Sequence, residues 1–69
     1  MKVYIIGYKK MIDKENVVWS EEKISQEGYA TYEQAREYIE SRPSHPVACS
    51  DYYFQSFFEE YYIHEIVIK

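Results

Sequence analysis

The chain has little of what equips many small proteins. Its one cysteine, Cys49, has no internal partner, which excludes the disulfide framework of a secreted mini-domain. Its two glycines, Gly7 and Gly28, cannot build a glycine-rich phosphate loop. Basic residues are outnumbered: eight Lys and Arg against twelve Asp and Glu leave a net charge of −4. Binding to a phosphate backbone needs the opposite balance, so direct nucleic-acid binding is disfavoured. No apolar run approaches the roughly eighteen residues of a membrane span. The apolar stretch near the N-terminus is too short for a signal peptide and lacks a small-residue cleavage site. These absences lead us to expect a reduced, cytoplasmic protein. Its 69 residues allow a single domain, 1–69, without room for a cofactor-binding α/β domain or an enclosed cleft. A chain of this length buries only about 60% of the surface its unfolded form exposes.

Aromatics, by contrast, are plentiful. Apolar residues make up 46% of the chain and aromatics 19%, with nine tyrosines among them. Disordered chains lack the apolar surface to offset chain entropy, so this one folds. Tyrosine buries a large ring but keeps a hydroxyl that needs a partner, which suits half-exposed positions and interfaces. Charge is unevenly spread: residues 1–14 carry four lysines and one aspartate, whereas residues 15–42 carry seven glutamates against three cations.

Lys2–Tyr8 is rich in β-branched and aromatic residues and reads as a strand. The polar turn Asp13–Asn16 precedes a second strand, from about Val17 to Ile24 or Ser25, which Gln26–Gly28 should break. Thr31-Tyr32-Glu33-Gln34 fits a capping box, with Tyr29 and Ala35 placed to form a hydrophobic staple. Tyr32, Ala35, Tyr38 and Ile39 then share one helical face, and Glu33, Arg36, Glu37 and Glu40 the other, with a Glu33–Arg36 pair expected. Pro43 ends this helix, predicted over residues 32–41. Residues 43–50 read as loop. Residues 51–58 have strand composition, although Ser50 is also placed to cap a short helix. Glu59-Glu60 reads as a turn and Tyr61–Lys69 as the last strand. The expected fold is α+β: one antiparallel sheet of three to four strands with one amphipathic helix on one face, in the order β-β-α-β-β.

One helix cannot cover a whole sheet. Tyr62, His64, Ile66 and Ile68 alternate with Tyr61, Ile63, Glu65 and Val67, and Tyr4, Ile6 and Tyr8 alternate with Val3, Ile5 and Gly7. Neither strand has the polar side of a solvated sheet face. The second face is therefore covered either by residues 43–58 folding over it or by another chain. For the second case the candidate contact residues are Tyr52, Tyr53, Phe57, Tyr61 and Tyr62 as anchors and Glu59, Glu60 and Glu65 as steering charges. Aromatics dominate binding hot spots, and an acidic rim favours a basic partner.

Enzymatic chemistry finds no frame. His45 and Cys49 lie four apart, but in a proline-containing loop where spacing fixes no geometry. His45, Cys49 and Asp51 lack metal-site spacing, so no metal or cofactor is expected. His64 on a strand reads as a sheet histidine. No catalytic residues are assigned, and an enzyme using Cys49 or His64 is the least favoured reading.

Lys2–Ile6, Gly28–Glu40 and Tyr61–Ile66 together resemble small proteins of bacteria and their phages of β-β-α-β type. In these a strand hairpin feeds a capped helix and a last strand completes the sheet. The resemblance implies no catalytic residues. It implies a stand-alone binding protein, encoded by a phage or mobile element, that inhibits a host or defence protein. The alternative is a structural homodimer.

Overall fold

A computed structural model describes residues 1–69. The chain runs β1 (Lys2–Asp13), β2 (Val18–Trp19), β3 (Lys23–Tyr29), α1 (Tyr32–Glu40), β4 (Val47–Ser50), β5 (Tyr53–Gln55) and β6 (Glu59–Val67). All strand pairs are antiparallel and belong to one sheet. Its order is β2-β1-β6-β5-β4, with β3 continuing the line of β2 along the same side of β1. The helix leaves β3 at one edge of the sheet and delivers the chain to β4 at the other, so it has to cross a face.

The longest strand, β1, is the spine. It pairs with β6 from Lys2↔Val67 to Lys10↔Glu59 without interruption. On its other side the register slips twice, between Ile5 and Gly7 and between Met11 and Asp13. Two serines accept β1 amide bonds on that irregular side. Ser25 Oγ accepts from the Ile6 N–H at 3.2 Å and Ser20 Oγ from the Lys10 N–H at 3.0 Å. Backbone donors in a sheet interior need an acceptor, and these short side chains supply it where the neighbouring strand is out of step.

Cβ alternation sorts the strands into two faces. Ile6 faces Ile63, Tyr8 faces Tyr61, and Tyr61 in turn faces Phe54. These side chains meet Ala35 and Ile39 of α1, and Ile6, Ile39, Ala35, Phe54, Tyr61 and Ile63 form the single buried cluster. Tyr4, Tyr8, Tyr29 and Tyr32 pack around it, partly buried. The capping box forms: Thr31 Oγ1 accepts from the Gln34 N–H at 3.2 Å. Gln34 Oε1 reaches back one residue further than expected, to the Ala30 N–H at 3.2 Å. Ser41 caps the C-terminus, two residues before Pro43. Arg36 pairs with Glu40 at 2.8 Å rather than with Glu33, one helical turn on and equally exposed.

The α+β architecture with one helix holds, but the sheet has six strands rather than three to four. Residues 47–50, read as loop, form β4. Only Tyr53–Gln55 of the 51–58 segment is strand, with turns on both sides. The single second strand expected from about Val17 to Ile24 or Ser25 is instead two, since Val17 lies in the turn and residues 20–22 separate β2 from β3. Gln26–Gly28 does not end β3, because a bulge opposite Ile5–Gly7 absorbs it and the strand runs on to Tyr29. Glu59-Glu60 is not a turn but the start of β6. In both of these places long-range pairing with β1 overrides a weak local preference. No helix is long and apolar enough to cross a membrane.

Candidate interaction face

Because α1 lies on the side of Ile6 and Ile63, the odd-numbered β1 residues and even-numbered β6 residues occupy a face with no helix. Val3 stands opposite Ile66, Ile5 opposite His64, Gly7 opposite Tyr62 and Lys9 opposite Glu60. The row extends to Tyr53 opposite Tyr62 and Gln55 opposite Glu60 on β5, and to Ile24 opposite Gly7 on β3. Residues 43–58 do not fold over this face. Those that form strands, β4 and β5, lie in the sheet as its outer edge.

The face has two halves. One is aliphatic: Val3, Ile5, Ile24 and Ile66, with Ile24 52% and Ile66 41% exposed. The other is aromatic and charged. The rings of Tyr53 and Tyr62 lie 5.1 Å apart, inclined at 32°, and His64 stacks on Tyr62 at 6.4 Å. Both tyrosine hydroxyls donate to the Glu60 carboxylate at 2.8 Å, one to each oxygen. Lys9 Nζ sits 5.4 Å from the Tyr62 ring centre. Partial burial, reinforced by the neighbouring Glu60 charge, opposes phenolate formation, pushing Tyr62 up to about 12 and Tyr53 further.

Between the halves, Glu22 Oε1 meets His64 Nε2 at 3.1 Å above Gly7. A Cβ on Gly7 would stand 2.6 Å from Glu22 Oε1 and 2.9 Å from His64 Nε2. Glycine lets this bridge lie close on the backbone, and Gly7 is the one buried residue of the face.

The candidate contact residues are divided among separate surfaces. Tyr53, Glu60 and Tyr62 meet on the open face. Tyr61 does not belong there: it is 3% exposed and lies under the helix, so it is a core residue and not an anchor. Its hydroxyl donates to Glu59 Oε2 at 2.5 Å and accepts from Arg42 Nε at 3.3 Å. Glu59, also held by Ser44 Oγ at 2.8 Å, is thereby tied to the helix side. Glu65 lies there too, paired with Lys2 at 3.1 Å and accepting from the Tyr4 hydroxyl at 3.3 Å. Tyr52 packs edge-on against Tyr32 at 5.3 Å, and the Tyr32 hydroxyl donates to the Asp51 carbonyl. Phe57 is 87% exposed in the β5–β6 turn, against Phe58. That turn sits beside the β1–β2 hairpin, since the Met11 N–H donates to the Phe58 carbonyl at 2.9 Å.

Lys9, Glu22, Ile24 and the His64 bridge complete the open face and were not among the candidates. Alternation along β1 and β6 already grouped Val3 and Ile5 on one side and His64 and Ile66 on one side. What alternation alone does not supply is the register joining those groups. The Cys49 thiol has the Val47 carbonyl as its hydrogen-bond partner, at 3.8 Å, and His45 makes no side-chain hydrogen bond, so the two do not form a pair. No three His, Cys, Asp or Glu side chains converge as metal ligands. No family model, curated protein or solved structure matches the chain.

Proposed function

We propose that this chain is a non-enzymatic protein-binding module that meets its partner through the open face of the sheet. The carrying observation is the aliphatic half of that face, with Ile24 and Ile66 exposed and Val3 and Ile5 partly buried, on a side of the sheet that carries no helix and beside the Tyr53–Tyr62 pair. Contiguous apolar surface rimmed by polar groups is the usual mark of an interaction site. The net charge of −4 favours a basic partner. The resemblance to small phage and bacterial proteins extends this reading to an inhibitor, encoded by a phage or mobile element, that occupies a surface of a host or defence protein. Tyr53, Tyr62 and Glu60 are the aromatic and acidic contacts, and Glu59, Glu65 and Tyr61 serve the fold instead.

Affinity capture from bacterial lysate, followed by binding with the purified partner, tests this. Ile24→Glu with Ile66→Glu should weaken the interaction at least about tenfold, whereas Glu37→Lys on the exposed side of α1 should leave it intact. Equal retention by all three proteins would remove the open face from the interaction. A homodimer is the second reading. The face carries both signs, Lys9 against Glu60 and Glu22, and is therefore able to complement itself. Sedimentation at micromolar concentration decides it, since a strict monomer ends that reading.

A further inference from the structure

On the helix side, away from the open face, a cavity of about 140 Å³ opens between α1 and β1. Its apolar walls are Ile6 and the rings of Tyr8, Tyr38 and Tyr61; Lys10, Arg42 and Ser25 complete it. Arg42 spends one N–H on the Tyr61 hydroxyl at 3.3 Å and another on the Tyr38 hydroxyl at 3.4 Å. A guanidinium has five N–H groups, so three remain, and its plane is held by two phenols. Lys10 Nζ forms no ion pair. Ser25 Oγ is already committed, accepting from Ile6 and donating to the Glu27 carbonyl at 3.0 Å. The uncommitted groups around the cavity are thus two cations and the hydroxyls of Tyr8 and Tyr38, the latter still holding its own proton to give. Glu59, on the far side of the Tyr61 hydroxyl, balances one of the two positive charges.

We infer that this cavity binds a small organic carboxylate, its apolar body between the tyrosine rings and its carboxylate on Arg42 and Lys10. The chemistry follows from the lining. Uncommitted donors lining one cavity with an excess positive charge select an acceptor anion, and apolar walls select one that carries hydrocarbon. The volume sets the size, since a cavity of about 150 Å³ holds one benzene ring. Benzoate is the matching probe, and benzamide has its shape without its charge.

Titration of the 15N-labelled protein with benzoate should give saturable amide shifts at Ile6, Tyr8, Ser25, Tyr38 and Tyr61, with a Kd below about 10 mM. Benzamide should bind at least about tenfold more weakly, and Lys10→Met should weaken benzoate about fivefold while leaving benzamide unchanged. Lys10 is exposed, so that variant keeps the fold; Glu37→Gln serves as a surface control. No saturable shifts, or equal binding of benzamide, would overturn the assignment. Inorganic phosphate binding as tightly as benzoate would overturn the role of the apolar walls. Open-face variants such as Ile66→Glu should not alter benzoate binding, which keeps this test independent of the protein-binding reading.

Discussion

Val17 occupies the left-handed region at φ 52°, at the tip of the β1–β2 hairpin, and is exposed. A β-branched side chain there crowds its own backbone, at a cost of about 1–2 kcal/mol, and no packing offsets it. Val17→Asn should therefore stabilise the protein by roughly 1 kcal/mol, read as a higher urea midpoint with an unchanged m-value. Tyr61 and Glu59 make a second residue-scale case. The hydrogen bond from the Tyr61 hydroxyl, helped by Ser44 and by the Arg42 and Lys10 charges, holds the Glu59 carboxyl below the ordinary carboxylate range. The folded state thus binds this proton more weakly than the unfolded chain. The stabilisation is complete above the unfolded carboxylate value of about 4.3 and is lost as pH falls through the lower folded value. Urea midpoints measured from pH 7 down to pH 3 should fall less steeply for Tyr61→Phe than for the natural protein. Identical acid limbs would show that this hydrogen bond contributes nothing to the pH dependence.

At the scale of elements, α1 was legible because its signals are local. The capping threonine and the apolar positions at Ala35 and Ile39 all lie within nine residues, and the helix formed within one residue of the predicted bounds. Thr31→Ala should cost about 1 kcal/mol by leaving the Gln34 N–H without its acceptor. The strands were legible in composition but not in extent. β3 passes through Gln26–Gly28 because Gly28, opposite Ile5, leaves room for a side chain from β1: a Cβ there would stand 2.4 Å from Val3 Cγ1. Valine is short and stiff and cannot swing its methyl aside cheaply. Gly28→Ala should destabilise by about 1–3 kcal/mol, and adding Val3→Ala should recover most of that loss. A double variant no more stable than Gly28→Ala alone would refute this reading of the contact.

For the whole molecule, tyrosine does much of the work that aliphatic residues do in larger cores. Burial pushes Tyr4, Tyr29, Tyr53, Tyr61 and Tyr62 above the ordinary phenol value, and all but Tyr29 also donate to a carboxylate. Below about pH 10 these phenols stay protonated in both states. Above it the unfolded chain sheds protons that the folded chain keeps, so stability falls as pH rises towards the folded values. Phenolate absorbance and far-ultraviolet circular dichroism should then change together above pH 10. Full ionisation centred near pH 10 with the dichroism intact would contradict this.

What the amino-acid order determined by itself was local: which segments extend, where the helix is capped and stopped, and which side chains of one strand share a face. It also showed that one helix cannot cover both faces of the sheet, but left open whether residues 43–58 would; the fold decided that by placing β4 and β5 in the sheet as its outer edge. Which tyrosines remain on the uncovered face was a tertiary decision. Tyr61 and Tyr62 are adjacent and alike in composition, yet the register of β6 on β1 buries one beneath α1 and leaves the other on the open face. A shift of one residue would exchange them, and only pairing between strands some fifty residues apart selects between the two.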